Sequence, residues 1–313
     1  MKDRIVWGMI GCGDVTEVKN GPGLYLAEHS FLKGVWNRTR EKAVSWTERH
    51  GHGTVYDTVD SLLADPEIDI VYIATTPNTH AEFAIRCAKA GKHALVEKPV
   101  APTLEDGMRM REAFREAERK CFVCFYRREM ERFRRLAQIV SSGEIGAATG
   151  VQLLRAVRPL TDPTAWRARP EICGGDLFTE TEIHALDIVE MLLGPVGTFS
   201  YAKGEGTYCL SACSKAGLPV SGLWNYTSAQ ETDCFVILGT DGRVELEFFR
   251  NDSPLRVFGR DGYHEETVTD SRNVGLNMEQ AIVNELLGRG SFSGTLDAAL
   301  ETLAITSAMY FGK

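Results

Sequence analysis

Over the first 126 residues, short continuous apolar runs alternate with longer segments of mixed polarity. The apolar runs fall at residues 5–10, 31–36, 54–56, 69–74, 93–96 and 121–126. Unbroken apolar runs of this length, without inside–outside alternation, are what strands buried on both faces look like. Between them, residues 41–50, 59–64, 79–90 and 104–120 carry helical periodicity, and Gly91 ends the third of these as a C-cap signal. Strands that alternate with helices predict a doubly wound parallel sheet.

Beyond that region the pattern changes. Residues 127–142 read as an arginine-rich helix and 148–157 as an extended run. A loop over 158–175 holds Pro159, Pro163, Trp166 and Pro170, and a helix over 177–193 stops at Gly194-Pro195. Strand-like runs follow at 196–201, 222–227, 233–238, 243–249 and 255–258, with a hairpin signal at Asp241-Gly242. Strands joined by short turns predict a mostly antiparallel sheet, and helices at 278–287 and 297–310 close the chain. The division read from this change is a nucleotide-binding domain at 1–123 and a second domain at 124–313.

Composition narrows the function. The chain has 313 residues, 43% of them hydrophobic and 25% charged, with a formal net charge of −8. An acidic balance speaks against a nucleic-acid partner, which needs a basic surface. No apolar run reaches the length of a membrane span. Met1-Lys2-Asp3-Arg4 leads into a strand rather than a secretory signal, so a cytoplasmic protein is expected. The eight cysteines are scattered and expected reduced. Cys121 and Cys124 lie three apart in a strand-like run, on opposite faces, which disfavours a shared metal or disulfide.

Three places carry candidate chemistry. The first strand runs into Gly11-Cys12-Gly13-Asp14-Val15-Thr16, a G-x-G turn of the kind that lets backbone approach a pyrophosphate. The second strand ends in Asn37-Arg38-Thr39-Arg40, where a ribose-binding acid would mark NAD. Arg38 and Arg40 in its place, with Asn37 as a polar contact, favour NADP(H) over NAD(H). At the end of the strand 93–96, Glu97 and Lys98 put two charges at the carboxyl edge of a buried sheet, where such folds bind ligands. In the second domain, Glu180, His184 and Asp187 share one helical face, an arrangement suited to acid–base work. Glu182 points away from that face. No spacing supports a metal site.

Together these residues resemble the glucose–fructose oxidoreductase, inositol dehydrogenase and rhizopine-catabolism (Gfo/Idh/MocA) family over essentially the whole chain. The resemblance rests on Gly8 to Gly13, on Thr76-Pro77-Asn78-Thr79-His80 and on Glu97-Lys98-Pro99. It continues through Tyr126-Arg127-Arg128, the turn at Gly143 to Gly146, and Trp166-Arg167 before Gly174-Gly175. It implies an N-terminal Rossmann domain and a C-terminal α+β domain with a large, mainly antiparallel open sheet that forms dimers or tetramers. It also implies NAD(P)-dependent hydride transfer at a hydroxyl or carbonyl carbon of a sugar, cyclitol or related polyol. Lys98 and His184 match the family's catalytic lysine and acid–base histidine. Thr75, Pro77, Asn78, His80, Glu97 and Lys98 are expected around the cofactor with Gly11, Gly13, Asp14 and Val15. Tyr126, Arg127, Trp166, Arg167 and Asp187 are expected near the substrate. The chain departs from the family's D-x-G-x-H motif: Glu180 stands for its aspartate and Glu182 for its glycine, where a carboxylate facing the substrate makes the pocket smaller and more acidic. Two other readings follow from these departures and from the fold: a nucleotide-binding sensor with a disabled substrate site, and an NAD-dependent redox-assisted glycosidase.

Overall fold

The computed structural model of the chain describes residues 3–160, 162 and 165–312; Met1, Lys2, Thr161, Pro163, Thr164 and Lys313 lie outside the described residues. The apolar runs of the first part become strands. β1 (Ile5–Ile10) is buried at every position, as a strand flanked on both sides must be. Two short helices, α1 (Asp14–Val18) and α2 (Gly23–Leu26), follow it. The alternation continues through β2 (Ser30–Trp36), α3 (Arg40–His50), β3 (Thr54–Val55) and α4 (Val59–Ala64). It ends with β4 (Ile70–Ile73), α5 (Pro77–Lys89), β5 (His93–Val96), α6 (Leu104–Glu116) and β6 (Cys121–Val123). The strands form a six-stranded sheet in the order β3-β2-β1-β4-β5-β6. All of its pairings are parallel. The order reverses between β1 and β4, the crevice where doubly wound sheets take ligands. The glycine turn after β1 and the loops after β4 and β5 therefore share one edge of the sheet.

The expected strand over 121–126 stops at Val123. Tyr126–Glu129 is instead a 3-10 turn, so Tyr126 and Arg127 sit on a corner, and the helix α7 (Glu131–Ser142) begins only after it.

The second sheet is built from β7 (Ala148–Ala156) and a meander that follows the helices α8 (Pro170–Cys173), α9 (Leu177–Thr181) and α10 (Ile183–Leu193). Its further strands are β8 (Val196–Gly204), β9 (Thr207–Ser214), β10 (Pro219–Asn225), β11 (Thr232–Gly239), β12 (Arg243–Leu246), β13 (Leu255–Gly259) and β14 (Gly262–Glu266). The eight strands run in the order β14-β13-β12-β11-β7-β10-β9-β8, antiparallel except for the parallel pair β7–β10. Helices α11 (Leu276–Leu286) and α12 (Leu296–Phe311) close the chain. β9 and β14 were not expected from the pattern. In β9, buried Tyr208, Leu210 and Ala212 alternate with Cys209, Ser211 and Cys213, and small residues blur a period of two. β14 is an exposed edge whose residues offer no apolar face.

The expected helix over 177–193 is two helices that meet at Glu182. Phe178 of α9 anchors this corner to the sheet: its ring stacks on Tyr208 at 4.1 Å and meets Trp224 edge-on at 5.3 Å.

The chain divides into two compact units. The first holds Met1–Met130, Glu171–Gly174 and Ser271–Leu300; the second holds Glu131–Pro170, Gly175–Asp270 and Glu301–Lys313. A single cut at 123/124 misses that α11 packs with the parallel sheet's unit, although it lies far along the chain. Truncating the Phe178 anchor is expected to lower stability by about 3–5 kcal/mol, as for other fully buried aromatics. Urea unfolding of Phe178→Ala measures this as a lowered midpoint at unchanged slope.

Candidate functional site

The glycine turn is dictated by its backbone. Gly11 has φ +101°, and a Cβ there would lie 2.6 Å from the Ala74 carbonyl oxygen, so only glycine closes the turn against the end of β4. Gly13 and Asp14 are exposed, and a Cβ at Gly13 would come no nearer than 4.0 Å to its neighbours, which leaves open space over the turn. Val15 is half-buried, and the Thr16 hydroxyl donates to Gly13 O at 2.7 Å. An exposed turn of backbone amides with free volume above it fits a dinucleotide pyrophosphate.

Asn37 takes a different part from the one expected. Its Oδ1 accepts the Cys12 N–H at 3.1 Å and its Nδ2 donates to Thr39 O at 2.9 Å. The side chain thus braces the glycine turn. Arg38 is exposed at the end of β2, while Arg40 pairs with Asp57 at 2.5 Å.

The loop after β4 presents Thr75, Pro77 opens α5 as its first residue, and the exposed Asn78 lies in the first turn of α5. His80 does not face outward as a cofactor contact would. It is fully buried, with Nδ1 2.9 Å from Pro99 O and Nε2 3.1 Å from Thr75 O. Its ring ties the loop after β4 to the loop after β5. Burial lowers its pKa, while both carbonyls oppose that shift.

Glu97 is also turned inward. Its Oε1 accepts the Asn20 amide at 2.6 Å and the Tyr72 hydroxyl at 2.7 Å, and its Oε2 accepts the Lys98 backbone N–H at 3.2 Å. The Cys124 thiol bonds the same carboxylate, and burial, with Glu97 beside it, holds that thiol well above its ordinary pKa. Tyr72, fully buried, is likewise raised by burial and by Glu97. The carboxylate therefore serves as a hub under the loop, and the half-exposed Lys98 is the charge the loop presents.

In the second unit, Glu180 lies at the end of α9 and pairs with the Arg167 guanidinium at 3.4 Å. Arg167 in turn lies over the Trp166 ring at 4.4 Å, so Trp166, Arg167 and Glu180 form one group. His184 and Asp187 are both buried on α10. Asp176 caps α9 by accepting from Phe178 N and Thr179 N.

Glu182 turns in toward the sheet. It is almost fully buried, and its Oε1 takes Arg155 Nη1 at 2.7 Å and the Tyr226 hydroxyl at 2.6 Å. The Arg155 guanidinium lies 3.6 Å over the Phe249 ring. Burial raises the Glu182 pKa above its ordinary value, against Arg155 and Tyr226, which favour the charged form. The carboxylate that replaces a glycine is thus matched within the sheet. Elsewhere in this unit Glu144, His264 and Glu266 bring three metal-capable atoms together, but Arg135 already pairs with both carboxylates.

Residues 5–125 match the profile described as the oxidoreductase family with an NAD-binding Rossmann fold, and residues 133–245 match the GFO/IDH/MocA C-terminal domain. The chain belongs to the Gfo/Idh/MocA oxidoreductase family. An oxidoreductase of Formosa agariphila is 29% identical over 278 residues, covering 85% of this chain and 87% of that protein. The myo-inositol 2-dehydrogenase of Thermotoga maritima is 29% identical over 198 residues, 63% of this chain and 58% of that protein. The crystal structure of aldose–aldose oxidoreductase from Caulobacter crescentus, complexed with glycerol, superposes with a TM-score of 0.85 at 23% identity, covering 98% of this chain and 97% of that one. Membership in Gfo/Idh/MocA makes residues 5–125 an NAD-binding Rossmann fold. Among the described residues no helix is long and apolar enough to cross a membrane.

Sequence reasoning missed Asn20, Tyr72, Arg155 and Tyr226. Each is a partner of a charge it had flagged, and each lies far from that charge along the chain. Removing one partner of the buried pair Arg155–Glu182 is expected to cost about 3–5 kcal/mol, and replacing both with apolar residues to recover most of it. Urea unfolding of Arg155→Met, and of Arg155→Met with Glu182→Leu, measures both.

Proposed function

We propose that the chain is an NAD(P)-dependent dehydrogenase or reductase of a sugar, cyclitol or related polyol, with Lys98 and His184 serving the reacting oxygen. The observation that carries this reading is the loop after β5. Glu97 is held inward by Asn20 and Tyr72, so Lys98 stands at the ligand edge of the sheet beside the open glycine turn. A lysine carried there would offer its ammonium to charge that develops on a substrate oxygen. The names of the relatives, an inositol dehydrogenase and an aldose–aldose oxidoreductase, support a polyhydroxylated substrate.

The bound dinucleotide supplies the hydride acceptor or donor. In the oxidation direction His184 would take the proton of the substrate hydroxyl, while the hydrogen on the same carbon would go as hydride to the dinucleotide. Lys98 donates a hydrogen bond to the oxygen as it becomes a carbonyl. Reduction is the reverse. Arg167, held by Trp166 and Glu180, and Arg127, over the Tyr126 ring at 5.6 Å, offer donors to substrate hydroxyls. Asp187 or Glu180 orients His184. NADP(H) is preferred over NAD(H) because the end of β2 offers the exposed Arg38 and no acid. The inward pairing of Glu182 removes one ground for a disabled substrate site.

The open face of the second sheet is read as the surface for a homodimer or homotetramer. Leu154, Leu223 and Leu238 are exposed, and Leu223 sits between Leu154 and Cys209 in register.

Lys98→Ala is expected to lower turnover by about 10²–10³-fold, the usual loss of one donor to a developing oxyanion. NADPH affinity should stay close to that of the parent, as read by nicotinamide fluorescence. Turnover equal to the parent's would refute the role of Lys98.

A further inference from the structure

Behind the loop that bears Lys98 lies a second carboxyl group that the proposed reaction does not use. Glu279, on α11, is fully buried, and neither of its oxygens has a hydrogen-bond partner among the described residues. The Oδ1 of Asn20, equally buried, also lacks one. All three oxygens crowd one place: a Cβ on Gly275 would press on Asn20 Oδ1 and lie 2.8 and 2.9 Å from Glu279 Oε1 and Oε2. Among the described residues these three acceptors have no hydrogen-bond donor.

Asn20 sits between the two carboxyl groups, with its Nδ2 given to Glu97. An amide bridging two carboxyls donates to one and must accept from the other. The same holds if the amide is turned over, so one of the two carboxyls carries a proton. Glu97 already collects the Tyr72 hydroxyl and the Lys98 N–H, which assigns the proton to Glu279.

We propose that Glu279 is a neutral acid and a positioning residue: its O–H donates to Asn20 Oδ1, and through Asn20 and Glu97 it fixes the loop that carries Lys98. This rests on the reading of Lys98 given above, but the protonation of Glu279 does not.

The surroundings agree. Burial is the main cause that lifts the Glu279 pKa well above its ordinary value, and Glu97 adds to it. The charge that reaches it comes from Glu97, which opposes a further negative charge. Of the elements packed on α11, α2 carries Tyr25, whose hydroxyl meets His50. The 3-10 turn carries Arg127, Arg128 and Glu129. Arg128 donates to Ser293, Arg127 lies over Tyr126, and the Glu129 carbonyl accepts from Asn277. On α11 itself Glu285 pairs with Lys120.

The test compares the parent chain with Glu279→Gln and Glu279→Met. A carboxyl with a raised folded pKa binds its proton in the native state above the unfolded value of about 4.3, so the native state loses relative stability as pH rises from there. The folding constant of the parent relative to Glu279→Gln should fall by up to about tenfold per pH unit over that range, by urea unfolding across pH 5 to 8. Parallel curves for the two proteins would overturn the neutral acid.

The second arm reads turnover against NADPH binding. Glu279→Met leaves Asn20 Oδ1 without a donor and is expected to lower kcat on the order of tenfold at unchanged NADPH affinity. Glu279→Gln restores a donor and should recover most of that loss. Equal kcat for Met and Gln would overturn the positioning role. If the parent shows no turnover with any sugar or polyol, the reading of Lys98 fails and the positioning role with it, while the stability arm still decides the proton.

Discussion

A carboxylate under the end of a parallel sheet must be hydrogen-bonded on every side, and the first unit is arranged to do this for Glu97. Apolar β4 and β5 remove water from the spot, so an unmatched charge would be costly there. Tyr72 from β4, Asn20 from the segment after α1 and the backbone of Lys98 supply the donors. Because these come from separate parts of the chain, the hub locks the glycine turn's own helix, the central strands and the lysine loop into one geometry. His80 adds a second tie by reaching both Thr75 O and Pro99 O. A loop held this way is placed by rigid neighbours rather than by its own stiffness.

The second unit solves the same problem differently. Its α9–α10 corner carries Glu180, Glu182, His184 and Asp187 within eight residues, all of them buried. Glu182 is met by Arg155 on β7 and Tyr226 just past β10, and Glu180 by Arg167. The corner can hold so many ionisable groups because the sheet beneath supplies matching ones. The replacement of a family glycine by Glu182 therefore changes the support of the corner more than the chemistry it presents.

Much of this was legible in the sequence. β1, β5 and α4 stand where their apolar runs and flanking breakers put them, because strands buried on both faces and capped helices leave strong local signals. The glycine turn was legible because φ at Gly11 admits no other residue. What was not legible is what depends on distant partners. Nothing local says that Asn37 braces Cys12, that His80 turns inward, or that Glu182 meets Arg155. β9 hid because the small Ala212 on its inward face and Cys and Ser on its outward face weaken the alternation, and the break at Glu182 because its backbone stays helical. The family match adds the class of chemistry, which the geometry of either unit alone does not specify.

The most direct test of the account is the fate of hydride. The purified chain would be given NADPH carrying deuterium at the nicotinamide C4, together with keto-sugars and ketocyclitols, and the products examined by mass spectrometry. The account predicts deuterium on the former carbonyl carbon of a polyol product. Tight NADPH binding with no transfer of label to any member of a broad panel would contradict it.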